Sequence, residues 1–190
     1  MISAILLAAG KSKRMNGENK LTKNLHGIPI IKKSVENILS SPVDKLIVVL
    51  GYEKDSIQKI IDKNHKIKFV LNKNFDSGIA SSIKEGINNL HKDTEAFFIS
   101  LGDMPLVNSY IYEKLIKSRN QKEILIPTYK NQQGNPVLFE KSMKDKILSI
   151  EGDFGAKKII ESNSDKVLNI EINDESITKD FNTQQSFMDV

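Results

Sequence analysis

The 190-residue sequence contains no cysteine, which excludes disulfides and thiolate metal sites and suits a reducing, cytoplasmic setting. Histidine is scarce as well. His26, His65 and His91 lie far apart and form no H-E-x-x-H pattern, so no zinc site is expected. Long apolar runs are missing. None reaches the roughly 18 residues of a membrane span, and the N-terminal apolar stretch is too short, and lacks the basic leader, for a secretory signal. Arginine-rich blocks and basic segments interleaved with aromatics are absent too. The net charge of +4 is instead spread along the chain as lysines, a pattern of solvated surface that argues against nucleic-acid binding. A mild positive bias still favours a small anionic substrate.

What is present is ordinary for a globular protein: 39% apolar and 27% charged residues, in a length that suits one domain spanning residues 1–190. Short apolar runs alternate with longer amphipathic ones, which predicts an α/β fold with a mainly parallel sheet. Strands are expected at residues 4–7, 46–50, 68–71, 96–101, 124–127, 136–139 and 167–170. Pro29 stands where a first helical turn begins, followed by Ile30, Ile31, Val35, Ile38 and Leu39 at helical spacing. Further helices are marked by Ile57, Ile60 and Ile61, by Ile83, Ile87 and Leu90 opening at Ser81 or Ser82, and by Ile111, Leu115 and Ile116. Two more carry Met143, Ile147 and Ile150, then Ala156, Ile159 and Ile160. In such a sheet ligands bind outside the carboxyl ends of the strands, so the loops there carry the functional question.

The first of these loops is the most informative. The apolar run Ala4, Ile5, Leu6, Leu7 ends in Ala8, Ala9 and Gly10, and then Lys11, Lys13, Arg14 and Lys20 supply positive charge. Nearly bare backbone lets a ligand lie against the main chain, Gly10 permits unusual backbone angles, and the cations suit phosphates. A P-loop is excluded, because the glycine it needs five residues before Gly10 is Ile5. The competing interpretation is a tight strand-to-loop turn with solvated lysines.

A second apolar run delivers Leu101, Gly102, Asp103, Met104 and Pro105 to the same edge. Gly102 leaves room for a nucleotide, and a lone carboxylate facing phosphates is how Mg²⁺ is usually held. An Asx-turn is the alternative role for Asp103. The segment 74–82 follows another strand and packs small hydroxyl residues, Ser77, Ser81 and Ser82, with Gly78 around an expected helix N-terminus, whose N–H groups suit ligand oxygens; N-capping by Ser77 or Ser81 is the alternative. Turns at Gly134, Asn135, Pro136 and at Gly152, Asp153, Phe154, Gly155 are weaker signals.

Taken in order, LLAAGKSKRM with Asn19-Lys20-Leu21, SGIASSI, LGDMP, GNPVLF and GDFGAK resemble the MobA-like nucleotidyltransferases, most closely the MocA-type molybdenum cofactor cytidylyltransferase branch. The resemblance covers nearly the whole chain. It implies a three-layer α/β/α, nucleotide-diphosphosugar-transferase-like fold with a mainly parallel mixed sheet. It further implies Mg²⁺-dependent transfer of CMP from CTP to the terminal phosphate of a molybdopterin-type cofactor, with release of pyrophosphate and with a molybdenum hydroxylase as a downstream partner. Leu7, Ala8, Ala9, Gly10, Lys11, Ser12, Arg14, Lys20, Ser77, Gly78, Ser81, Ser82, Leu101 and Gly102 would then bind nucleotide. Arg14, Lys20 and Asp103 would be catalytic, and Asp103 and Asn182 would hold the metal, with Asp180 close behind in a D-x-[DN]-T-like segment. Gly134, Asn135, Pro136, Gly152, Asp153, Gly155 and Lys157 would face the acceptor. Leu-Ala-Ala-Gly resembles the CTP-using branch, whereas guanylyl-transferring relatives tend to carry Leu-Ala-Gly-Gly.

The sequence departs from the family pattern at three places. Asn135 replaces a common histidine, Lys157 a common arginine, and Gln184 a common proline. All three put the acceptor in question more than they question the transfer. The rival expectations are transfer to a sugar phosphate or other small phosphate, and a non-catalytic chaperone of molybdenum cofactor. Such a chaperone would tolerate loss of Asp103 and Lys20, and both are present.

Overall fold

The computed structural model describes residues 1–12, 19–119, 121–152 and 155–181. Ten strands are described: β1 Ile2–Ala8, β2 Asn24–Leu25, β3 Ile28–Pro29, β4 Lys45–Leu50, β5 Ile67–Leu71, β6 Ala96–Leu101, β7 Ile124–Tyr129, β8 Gln132–Gln133, β9 Val137–Glu140 and β10 Val167–Glu171. The α-helices are α1 Ile30–Leu39, α2 Lys54–Ile60, α3 Ile79–Asn88, α4 Ser109–Lys117, α5 Lys144–Leu148 and α6 Lys157–Ser162.

The main sheet runs β10-β7-β9-β6-β1-β4-β5, with β8 paired to β7. Pairs β1/β4, β1/β6, β4/β5 and β7/β10 are parallel, whereas β9 is antiparallel to both β6 and β7. This is the expected mixed, mainly parallel sheet. Every residue of β1 is buried, as a central strand covered on both faces requires. Its alternate side chains divide between two cores: Ala4, Leu6 and Ala8 join Ile30, Ile31, Val35, Ile57 and Ile111, while Ile5 and Leu7 join Ile83, Ile87, Phe139 and Ile147. Hence α1, α2 and α4 cover one face, and α3 and α5 cover the other.

Most elements shift by a residue or two at their ends, and two helix starts bear on the site. Pro29 precedes α1 as its N-cap, in extended conformation with ψ 137, so the helix starts at Ile30. The third helix opens at Ile79, before Ser81 and Ser82, because Gly78 at φ 103 makes a sharp entry that other residues resist. The parallel register of β1 and β6 pairs Leu7 with Leu101. Their carboxyl ends therefore release the loop beginning at Ala9 and the turn at residues 102–105 side by side.

Candidate active site

Between these two loops and the start of α3 lies a cleft of about 500 Å³. It is lined by Leu7, Ala8, Ala9, Gly10, Lys11, Ser12, Lys20, Gly78, Ser82, Leu101 and Asp103 from the residues expected at the site. Leu21, Phe75, Asp76, Ile79 and Asp180 complete the lining.

Lys20 opens a short 3-10 turn that Asn19 caps through its side chain, accepting from the Leu21 N–H at 3.1 Å. The Lys20 N–H donates to Ser12 Oγ at 3.2 Å, which ties this turn to the first loop. Its ammonium reaches across to the Asp103 carboxylate in a direct ion pair, and the two side chains are only 17% and 13% exposed. That exposure is low enough for their charges to act with little solvent screening. At the mouth, Lys11 pairs with Asp76 at 2.7 Å and stands 5.4 Å from the centre of the Phe75 ring. A cation, a carboxylate and an aromatic face thus meet where the first loop approaches the loop before α3.

Several expectations need correction here. Gly10 does not adopt a left-handed angle; that conformation falls on Ser12, at φ 50. What Gly10 contributes is open space, since a Cβ there would meet nothing within 4 Å. Gly102 is the reverse. It is buried, and a Cβ would lie 2.9 Å from the Leu7 carbonyl oxygen and 3.2 Å from Ile31, so its bareness serves packing rather than a ligand. The N-terminus of α3 is not capped by serine: Ser77 and Ser81 donate their hydroxyls to the Asn74 carbonyl, and Ser81 also to that of Gly78. Nor are its amides all available, because the Ala80 N–H donates to the Gly152 carbonyl at 3.1 Å. The side chain of Asn72 instead fixes this corner, donating to Ser81 Oγ at 2.8 Å and Ser82 Oγ at 3.0 Å. The Asp103 carboxylate is engaged by Lys20 rather than in an Asx-turn.

The residues expected to face an acceptor are placed differently from those around Lys20. Gly134 packs against the backbone of Ile177, whose carbonyl accepts from the Asn135 N–H at 2.8 Å. Asn135 and Pro136 border a void of about 10 Å³ behind the 102–105 turn, together with Ser34, Ser100 and Tyr112. Burial pushes the Tyr112 hydroxyl pKa well up, against the opposing effect of its hydrogen bond with Ser100, so it stays protonated at neutral pH. Gly152 and Gly155 lie beside the start of α3, and Lys157 is exposed and reaches Glu161 at 3.8 Å. Arg14, Asp153 and Asn182 lie outside the described residues.

Asp180 is the contribution the motifs marked only by proximity to Asn182. It lines the cleft because the next residue is anchored: the Phe181 N–H donates to the Asp103 carbonyl at 3.0 Å, and the Phe181 ring is 1% exposed. Among the described residues, Asp103 and Asp180 thus bring carboxylates to the cleft lining, with Asp76 beside Lys11. His26, His65 and His91 are exposed and line no part of the cleft.

Small residues, lysines and carboxylates thus line a cleft at the carboxyl edge of a mixed α/β sheet, the edge at which ligands bind in such folds. The chain belongs to the MobA-like NTP transferase domain family, whose model matches residues 4–167. It is 27% identical to the "Probable molybdenum cofactor guanylyltransferase" of Methanosarcina acetivorans, across 82% of this chain and 70% of that protein. It is 29% identical to the molybdenum cofactor cytidylyltransferase of Escherichia coli, across 74% of this chain and 70% of that one. Among longer relatives, the bifunctional protein GlmU of Syntrophomonas wolfei is matched over only 32% of its length, at 26% identity. The crystal structure of an Rv0371c homologue from Mycobacterium sp. strain JC1 superposes with TM-score 0.87 at 23% identity, covering 99% of this chain and 93% of that one. No described helix is long and apolar enough to cross a membrane.

Proposed function

We propose that this nucleotidyltransferase moves CMP from CTP to the terminal phosphate of a molybdopterin-type cofactor, in a Mg²⁺-dependent reaction that releases pyrophosphate. The observation that carries this reading is the juxtaposition of Lys20 and Asp103 over a floor of nearly bare backbone at Ala8, Ala9 and Gly10. A phosphate oxygen of the acceptor forms the new bond to the α-phosphorus of CTP, and the bond between α-phosphorus and bridging oxygen breaks. The electron pair leaves with pyrophosphate. The acceptor phosphate is already ionised at neutral pH, so no general base is needed, and the protein's part is positioning and charge neutralisation. The first loop holds the triphosphate, Lys11 and Lys20 offset its charge, and Phe75 with Gly78 bounds the space for base and ribose.

The donor set suits Mg²⁺. Asp103 and Asp180 bring hard carboxylate oxygens to one cleft, and this ion takes one or two protein carboxylates beside substrate phosphates. Bound there, the ion would supply charge neutralisation at the reacting phosphate. Lys20 would then exchange its partner from the Asp103 carboxylate to a phosphate oxygen.

Relatives named for either base match at similar identity, so the lean to CTP rests on Ala9 in Leu-Ala-Ala-Gly. A sugar phosphate is the alternative acceptor, because Asn135 and Lys157 depart from the family pattern on the acceptor side. A non-catalytic chaperone is disfavoured by the Lys20–Asp103 pair. The test is pyrophosphate release with each of the four NTPs and Mg²⁺, with and without molybdopterin-type cofactor. CTP-selective, cofactor-dependent release is expected. Release that needs a sugar phosphate instead would overturn the acceptor, and release with GTP alone would overturn the base.

A further inference from the structure

The turn that presents Asp103 is held by α1, a helix that contributes no residue to the cleft lining. Ser34 donates its hydroxyl to the Gly102 carbonyl at 3.0 Å, and Asn37 donates its side-chain amide to the Pro105 carbonyl at 2.9 Å. The two donors are three positions apart, so they share one face of the helix. Between their acceptors lies the Asp103 carbonyl, which takes the Phe181 N–H. The Gly102 N–H in turn donates to the Leu7 carbonyl at 3.0 Å.

A serine inside a helix commonly bonds back to its own preceding turn. Ser34 reaches across to another segment instead, and does so while only 4% exposed, beside Ile30, Ile31 and Val35 in the core. A buried hydroxyl in apolar surroundings has large consequences if its partner moves. Anchoring α1 to the sheet needs no such group, because its apolar stripe already does that. The hydroxyl and the amide address one thing in common: the backbone on either side of Asp103.

We infer that Ser34 and Asn37 are positioning residues that fix the Asp103 carboxylate where metal and α-phosphate must meet. This rests on the reading of Asp103 as the metal-holding carboxylate. Misplacement of a reacting geometry by 1 Å costs on the order of 100-fold in rate, so loss of one of two clamps should cost about 10-fold.

The experiment compares the wild-type chain with Ser34→Ala, Asn37→Ala and Ser34→Thr. Mn²⁺ affinity is read by electron paramagnetic resonance with CTP present, alongside kcat, KM for CTP and thermal unfolding. Both alanine variants should bind Mn²⁺ several-fold more weakly and lose about 10-fold in kcat, with KM for CTP changed less than about twofold. Ser34→Thr should keep both close to the wild-type values, since it retains the hydroxyl that holds the Gly102 carbonyl. Alanine variants with wild-type Mn²⁺ affinity and kcat, differing only in unfolding temperature, would overturn the inference. Should Ser34→Ala fail to fold, Asn37→Ala on the more exposed end of the pair gives the same readouts. A wild-type chain that binds neither Mn²⁺ nor CTP would instead bring down the underlying reading, and this inference with it.

Discussion

The residues expected to bind nucleotide and those expected to face an acceptor carry similar-looking glycine-bearing motifs, and the fold uses them differently. Around β1, the small residues Ala8, Ala9 and Gly10 face the cleft, and Gly10 leaves open space in front of its backbone. On the other side, Gly134 has no open space at all: a Cβ there would sit 2.4 Å from the Ile177 carbonyl oxygen. Gly152 differs again: it is exposed, with open space where a Cβ would stand and a left-handed φ of 69, and its carbonyl accepts from the Ala80 N–H. One stretch of bare backbone lies open to the cleft. The other, at Gly134, lets the 134–136 turn approach the strap that carries Asp180.

That contrast can be broken in a graded way. Asp103→Ala should cause the largest loss, roughly 10³-fold in kcat, in a protein that is still folded by circular dichroism. Retention of substantial activity would remove Asp103 from the chemistry. Lys20→Ala should follow, with kcat reduced roughly 10²-fold, because its contribution is strongest in the transition state. A rise confined to KM would make it only a gripping group. Gly134→Ala should act on the fold instead, destabilising it by about 1–3 kcal/mol in denaturant titrations through overpacking. A stable but inactive Gly134→Ala protein would show that this turn belongs with the ligand-facing set after all. Lys11→Ala should have the smallest effect, a few-fold rise in KM for nucleotide with unchanged stability, since exposed ion pairs such as Lys11–Asp76 contribute little to folding.

What could be read from the sequence follows the same division. The strands were legible because β1, β4 and β6 are apolar apart from Ser3, Lys45 and Ser100, and the cleft-lining loop was legible because small residues and cations follow one another directly. The cleft lining at Lys20 and Asp103 came from ordered motifs. Long-range pairing was not legible. Nothing local in the chain says that Ser81 and Ser82 answer to Asn72, that Gly102 is bare for the sake of Leu7 and Ile31, or that β9 runs antiparallel between β6 and β7. Asp180 was found by its neighbours in sequence, but its place in the cleft depends on Phe181 docking to the Asp103 backbone. Phe75 and Asp76 stood directly before the Ser77 and Gly78 that motif reading selected; an aromatic and an acid at a ligand-facing loop were the signal.

The central claim is that nucleotide and metal meet on the β1 and β6 side of the cleft, at Lys20 and Asp103. The most direct measurement is a crystal structure with Mn²⁺ and a CTP analogue that cannot be cleaved between its α- and β-phosphates, using anomalous scattering to place the metal. The account requires the manganese peak on the Asp103 carboxylate, a phosphate oxygen on Lys20, and the triphosphate along Ala8 to Ser12. Manganese bound away from Asp103, or nucleotide seated at the Gly134 and Gly152 turns, would contradict it.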